Sequence, residues 1–113
     1  MVLNFLSGGS AINVLARHTN SDLIVVDMGV AHNLPEHSSL IDRKIAHGTA
    51  NMTQEPAMST EQAEKALQTG YDFAIEWSKK GTDIFAAGEM GIANTTSGAA
   101  VLAVLGGRSA EEV

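Results

Sequence analysis

Apolar positions along the chain change period several times, and each change marks an element. Leu3, Leu6, Ile12, Val14 and Leu15 recur at roughly helical spacing. That spacing predicts a helix over about 3–17, although Gly8-Gly9 lies inside it and each glycine costs ~1 kcal/mol against alanine. Polar Arg17-His18-Thr19-Asn20-Ser21 ends the pattern. Leu23-Ile24-Val25-Val26 is then a continuous β-rich run bounded by Asp22 and Asp27. Such a run suits a strand, about 22–28, buried on both faces as in a parallel sheet.

The next clear period begins at Ser59. Ser59 and Gln62 form a capping-box signature, followed by Ala63, Ala66, Leu67, Gly70, Ala74 and Trp77 at helical spacing. A helix over about 59–80 follows, with Gly81 as its stop and Trp77 read as a core residue. Ile84-Phe85-Ala86-Ala87 has strand length and predicts a second strand over 83–88. Ser97 to Leu105 has helix length, giving a third helix over 94–105 that Gly106-Gly107 stops. Ser109-Ala110-Glu111-Glu112 resembles the start of another.

Strand, loop, helix, strand is a βαβ crossover, so the expected class is α/β with a Rossmann-like, three-layer parallel core. The stretch from Val30 to Met58 has no strong period. Pro35, Gly48 and Pro56 punctuate it, and Leu40, Ile41 and Ile45 allow a short strand or turn. A connection that long inside a compact domain tends to be functional or mobile. Two strands make a marginal sheet with open edges. The chain therefore reads as an excerpt, one partial domain over 1–113.

Composition narrows the class without choosing a function. Of 113 residues 44% are hydrophobic and 18% charged, an ordinary folded composition. No apolar run approaches the ~18 residues of a membrane-spanning helix. The apolar start carries no basic residue ahead of it, so a secretory signal is not expected. There is no cysteine, hence no disulfide framework or thiol nucleophile, and cytoplasmic residence fits. A net charge of −6 without a basic run disfavours nonspecific nucleic-acid binding. His18, His32, His37 and His47 have no metal-ligand spacing on a predicted helix.

One stretch carries the candidate chemistry. Gly88-Glu89-Met90-Gly91-Ile92-Ala93-Asn94-Thr95-Thr96 joins the second strand to the last helix. Glycines there allow a tight turn and a close approach, while the helix start supplies unpaired N–H groups. That is the layout of an anion-holding turn at the carboxyl end of a parallel strand. Asp27 and Gly29 fall at the end of the first strand. There a site role and a plain turn role stay open for Asp27.

The same stretch resembles the signature of the nicotinate-nucleotide–dimethylbenzimidazole phosphoribosyltransferase family, which makes the lower-ligand nucleotide of cobalamin. Three further blocks follow the family's order: Ser7-Gly8-Gly9-Ser10-Ala11-Ile12-Asn13-Val14, Val25-Val26-Asp27-Met28-Gly29-Val30, and Lys44 to Met52 followed by Pro56-Ala57-Met58. Ala93 and Glu55 stand where the family usually has glycine. An ordinary negative φ is expected for Ala93.

The resemblance implies transfer of phosphoribose from nicotinate mononucleotide to 5,6-dimethylbenzimidazole with inversion at C1′, by a cytoplasmic homodimer that requires no metal or organic cofactor. It implies substrate binding by Glu89, Gly91, Ile92, Ala93, Asn94 and Thr95, with Asp27 and the Gly8-Gly9 segment in second place. Catalysis needs a held phosphate, a stabilised oxocarbenium-like ribose and a base for the azole proton. The turn addresses the first two. In the family the base is a glutamate that would fall beyond Val113, so none of these residues is expected to be catalytic. Glu89 beside a phosphate makes sense facing the ribose; alternatively it accepts backbone N–H groups and stiffens the turn. Two other readings stay open: a nonenzymatic nucleotide-binding module, and a purely structural or dimerisation segment.

Overall fold

The computed structural model describes residues 1–113. Its elements run α1 (Val2–Leu6), α2 (Ala11–Thr19), β1 (Val25–Asp27), β2 (Leu40–Asp42), α3 (Thr60–Lys79) and α4 (Asn94–Gly106). It is an α/β chain with a two-stranded parallel sheet. No helix is long and apolar enough to cross a membrane.

The helix expected over 3–17 is two helices meeting at a corner. Gly8 turns the backbone at φ +77°, a region where side chains are costly. A Cβ on Gly9 would run into the Asn4 side chain. Asn13 then staples the corner: its Nδ2 donates to the Phe5 carbonyl at 3.0 Å, and its Oδ1 accepts from the N–H of Ser10 at 3.1 Å and from the Ser10 hydroxyl. Arg17 adds a bond from Nη1 to the Gly8 carbonyl at 3.0 Å. The two glycines thus serve the chain's own turn.

The sheet also differs from expectation. β1 forms inside the predicted 22–28 segment, but its partner is β2 and not residues 83–88. The register pairs Val25 with Leu40, Val26 with Ile41 and Asp27 with Asp42. The twelve residues 28–39 make the parallel connection without a helix, a length that suffices for such a return. Beyond the strands the ladder continues loosely, with Arg43 N–H bonded to Asp27 O, Ile45 to Met28 O and Gly48 to Gly29 O at 2.9–3.0 Å. Residues 83–90 exchange no backbone hydrogen bonds with any segment. A strand is defined by its ladder, and the apolar run Ile84–Ala87 has no partner on which to build one. The expected crossover through α3 is therefore absent.

The long helix matches the pattern closely. Ser59 Oγ accepts from Gln62 N–H at 3.2 Å while Gln62 Oε1 accepts from Ser59 N–H at 2.9 Å, the reciprocal capping box. Trp77 is half-buried against its own helix and not in a shared core. Phe73 lies 5.8 Å away ring to ring, and the Lys80 ammonium sits 4.3 Å over the indole while pairing with Glu76 at 2.7 Å.

Very little is enclosed. Only Val2, Ser10 and Asp27 are buried. The strands are the one pair of elements in extensive contact. α4 carries apolar residues on every side, and Val101, Leu102, Val104 and Leu105 are all exposed.

Candidate functional site

The turn from Glu89 to Thr95 is exposed throughout. Gly91 takes φ +85°, a conformation that favours glycine. Glu89 Oε2 accepts the Gly91 N–H at 2.6 Å. The carboxylate therefore stiffens the loop that carries it, the alternative left open above. The Asn94 N–H closes the turn onto the Gly91 carbonyl at 3.2 Å.

Ala93 sits at the N-cap of α4 with φ +62°, left-handed, which corrects the expectation of an ordinary φ there. The turn needs a reversal before the helix starts, and residue 93 makes it whether or not it carries a Cβ. No side chain caps α4. Ser97 Oγ lies within donating reach of the Asn94 carbonyl at 3.0 Å and of Asn94 Oδ1 at 3.1 Å.

What remains available is specific. The N–H groups of Ile92, Ala93, Thr95 and Thr96 have no acceptor within the chain. Four unpaired donors lie around the positive end of a thirteen-residue helix, where negative charge is favoured. The Glu89 carboxylate is tied down at Gly91 beside them.

Asp27 is placed differently. It is 4% exposed, and its carboxylate is fully engaged inside the chain. Oδ1 accepts the N–H groups of Gly29 at 3.0 Å and Val30 at 2.9 Å, and Oδ2 meets the Lys44 ammonium at 2.6 Å. Burial disfavours the charged form. The hydrogen bond and positive charge of Lys44, with the two backbone N–H groups, outweigh that and hold the pKa below its ordinary value. Asp27 shares no hydrogen bond with the 89–95 turn. Lys44 was not picked out by the sequence pattern, since it lies seventeen positions from Asp27 and only the β1–β2 register brings the two together.

The geometry thus defines an α/β chain with an exposed turn of unpaired N–H groups at the start of its last helix. A family model described as phosphoribosyltransferase matches residues 1–113. A nicotinate-nucleotide–dimethylbenzimidazole phosphoribosyltransferase of Chloroflexus aggregans is 56% identical over all 113 residues, and one of Geobacter metallireducens 46%. The crystal structure of the corresponding enzyme from Thermus thermophilus superposes with a TM-score of 0.88 at 48% identity, covering 96% of this chain and 33% of that one. The chain belongs to the nicotinate-nucleotide–dimethylbenzimidazole phosphoribosyltransferase family. It spans about a third of the length of the curated relatives it matches, 32% for each of the two named.

Proposed function

We propose that these residues supply the phosphate-holding side of the active site in an enzyme that transfers phosphoribose from nicotinate mononucleotide to 5,6-dimethylbenzimidazole. A benzimidazole nitrogen forms a bond to C1′ as the bond from C1′ to the nicotinate nitrogen breaks on the opposite face. The products are α-ribazole 5′-phosphate, nicotinate and the azole proton, which a base accepts. In this reading the free N–H groups of Ile92, Ala93 and Thr95 hold the phosphate, with Gly91 shaping the turn and the Asn94 and Thr95 side chains adding donors. Glu89, fixed by Gly91, keeps an oxygen for the ribose. By the family resemblance the base is a carboxylate outside this chain, the chain is the middle part of a longer domain, and the enzyme is a cytoplasmic homodimer.

The observation that carries the reading is the exposed turn with four unpaired N–H groups at the start of α4, on a chain whose whole length matches the family. The test is nicotinate release from nicotinate mononucleotide plus dimethylbenzimidazole by the full-length gene product. Product formation is expected there, and none from the 113-residue segment alone. Nucleotide binding without product in the full-length protein would instead identify a binding module.

A further inference from the structure

The most completely satisfied side chains in the molecule lie away from the turn, at the carboxyl end of β1. Lys44 there has committed all three of its donors, and both oxygens of Asp27 are engaged. The Asp27 carboxylate accepts three donors, from Gly29, Val30 and Lys44. Lys44 has three N–H bonds to give, and they go to Asp27 Oδ2 at 2.6 Å, the Val30 carbonyl at 2.7 Å and the His32 carbonyl at 3.4 Å. With its side chain 14% exposed and its donors committed, Lys44 is no phosphate ligand. Asp27 has no oxygen facing outward for a ribose.

An ion pair at such a place is weak support for stability, because well-packed apolar residues do as well. What this pair does is dictate a shape. Every bond it makes reaches the backbone between Gly29 and His32 or the partner charge. The ladder on the other side, from Arg43, Ile45 and Gly48 to residues 27–29, holds the same segment in register. Gly29 leaves room for the Ala46 carbonyl, which a Cβ would approach at 3.5 Å. Residues 28–32 are thus held from both edges. They lie just past the carboxyl end of a parallel strand, the position where open α/β sheets place their ligand groups.

We propose that Asp27 and Lys44 are a positioning pair that holds the 28–32 loop as one wall of the nucleotide site. The pair touches no substrate and acts through the loop backbone. This rests on the phosphoribosyltransferase reading. It moves Asp27 from the binding residues to their support and adds Lys44.

The test uses the full-length protein with Lys44→Met, Lys44→Arg, Asp27→Asn and the Asp27→Asn/Lys44→Met double substitution. A loop that has lost its hold weakens ground-state binding and leaves the reacting groups unchanged. The KM for nicotinate mononucleotide in Lys44→Met is therefore expected to rise about tenfold, with kcat within about twofold of wild type. Amide exchange at Gly29 and Val30 accelerates in the same variant. Lys44→Arg, which keeps the charge but not the shape, falls between. The double variant is no worse than the poorer single one, because the two residues act as a unit. A folded Lys44→Met or Lys44→Arg protein with unshifted KM and unchanged exchange overturns the proposal, as does a fall in kcat at constant KM. A wild-type protein that releases no nicotinate removes the phosphoribosyltransferase reading itself. An active wild type with an unshifted Lys44→Met removes only the positioning role.

Discussion

At φ +62°, Ala93 holds a conformation that costs a residue with a Cβ about 1–2 kcal/mol relative to the right-handed region. Relief of that strain opposes the greater unfolded-state entropy of glycine. Ala93→Gly in the full-length protein is therefore expected to gain about 0.5–1 kcal/mol, read as a higher urea midpoint at constant m. A midpoint that falls would show that the turn does not need a reversal at residue 93. Asp27 makes a second prediction at this scale. A carboxyl whose folded pKa lies below its ordinary 3.8 contributes stability above that value and loses it as pH falls through the lowered one. The stability gap between wild type and Asp27→Asn should be constant near neutrality and shrink in acid below pH 3.8. A gap independent of pH down to complete acid unfolding would contradict the charge-based hold. Asp27 was legible in the sequence as a strand-end residue, but its partner was not.

At the scale of elements, local signals and pairing signals fared differently. The Ser59–Gln62 box marked the start of α3 correctly because both partners lie within one turn. Ser59→Ala is expected to cost about 1 kcal/mol, seen as an earlier thermal melt in far-UV circular dichroism, because the Gln62 N–H loses its side-chain acceptor. The Gly8-Gly9 corner was misread as helix interior because the apolar spacing carries across it, while Asn4, Asn13 and Arg17 make the corner through polar contacts that hydropathy does not register. The run Ile84–Ala87 has strand composition and no ladder. If the rest of the protein supplies its partner, these amides should exchange slowly in the full-length protein and fast in the 113-residue segment. Equal, fast exchange in both would mean that the apolar run is not a strand.

For the whole molecule, the decisive quantity is exposed surface. A compact monomer of 11.8 kDa exposes about 5,900 Å², whereas this chain exposes 8735 Å². Its radius of gyration is 15.9 Å against about 13 Å for a compact chain of this length. Large apolar side chains contribute to the excess, among them Ile84, Leu67, Val104 and Leu105. A helix that is apolar on every side, as α4 is, belongs inside a larger body. The 113-residue segment by itself is therefore expected to bind ANS strongly and to lack a cooperative near-UV transition, while the full-length protein does neither. Weak ANS binding with a sharp transition would show that these apolar faces find each other.

Sequence alone determined what depends on neighbours within a few positions: the capped helix 60–79, the helix after residue 93, the strand character of the run ending at Asp27, and the Gly88–Thr96 turn. The burial expected of that run is only partial, because one neighbouring strand covers it. Side chains and backbone groups that are close together along the chain meet regardless of the fold. Tertiary structure decided what depends on distant segments: that β1 pairs with Leu40–Asp42, that Lys44 therefore reaches Asp27, and that Ile84–Ala87 finds no ladder. The identity of a strand's partner depends on which alternative pairing satisfies the most backbone groups, and no single run carries that information. The left-handed Ala93 lies between the two cases, because the turn around it was legible while the backbone angle demanded of it was not.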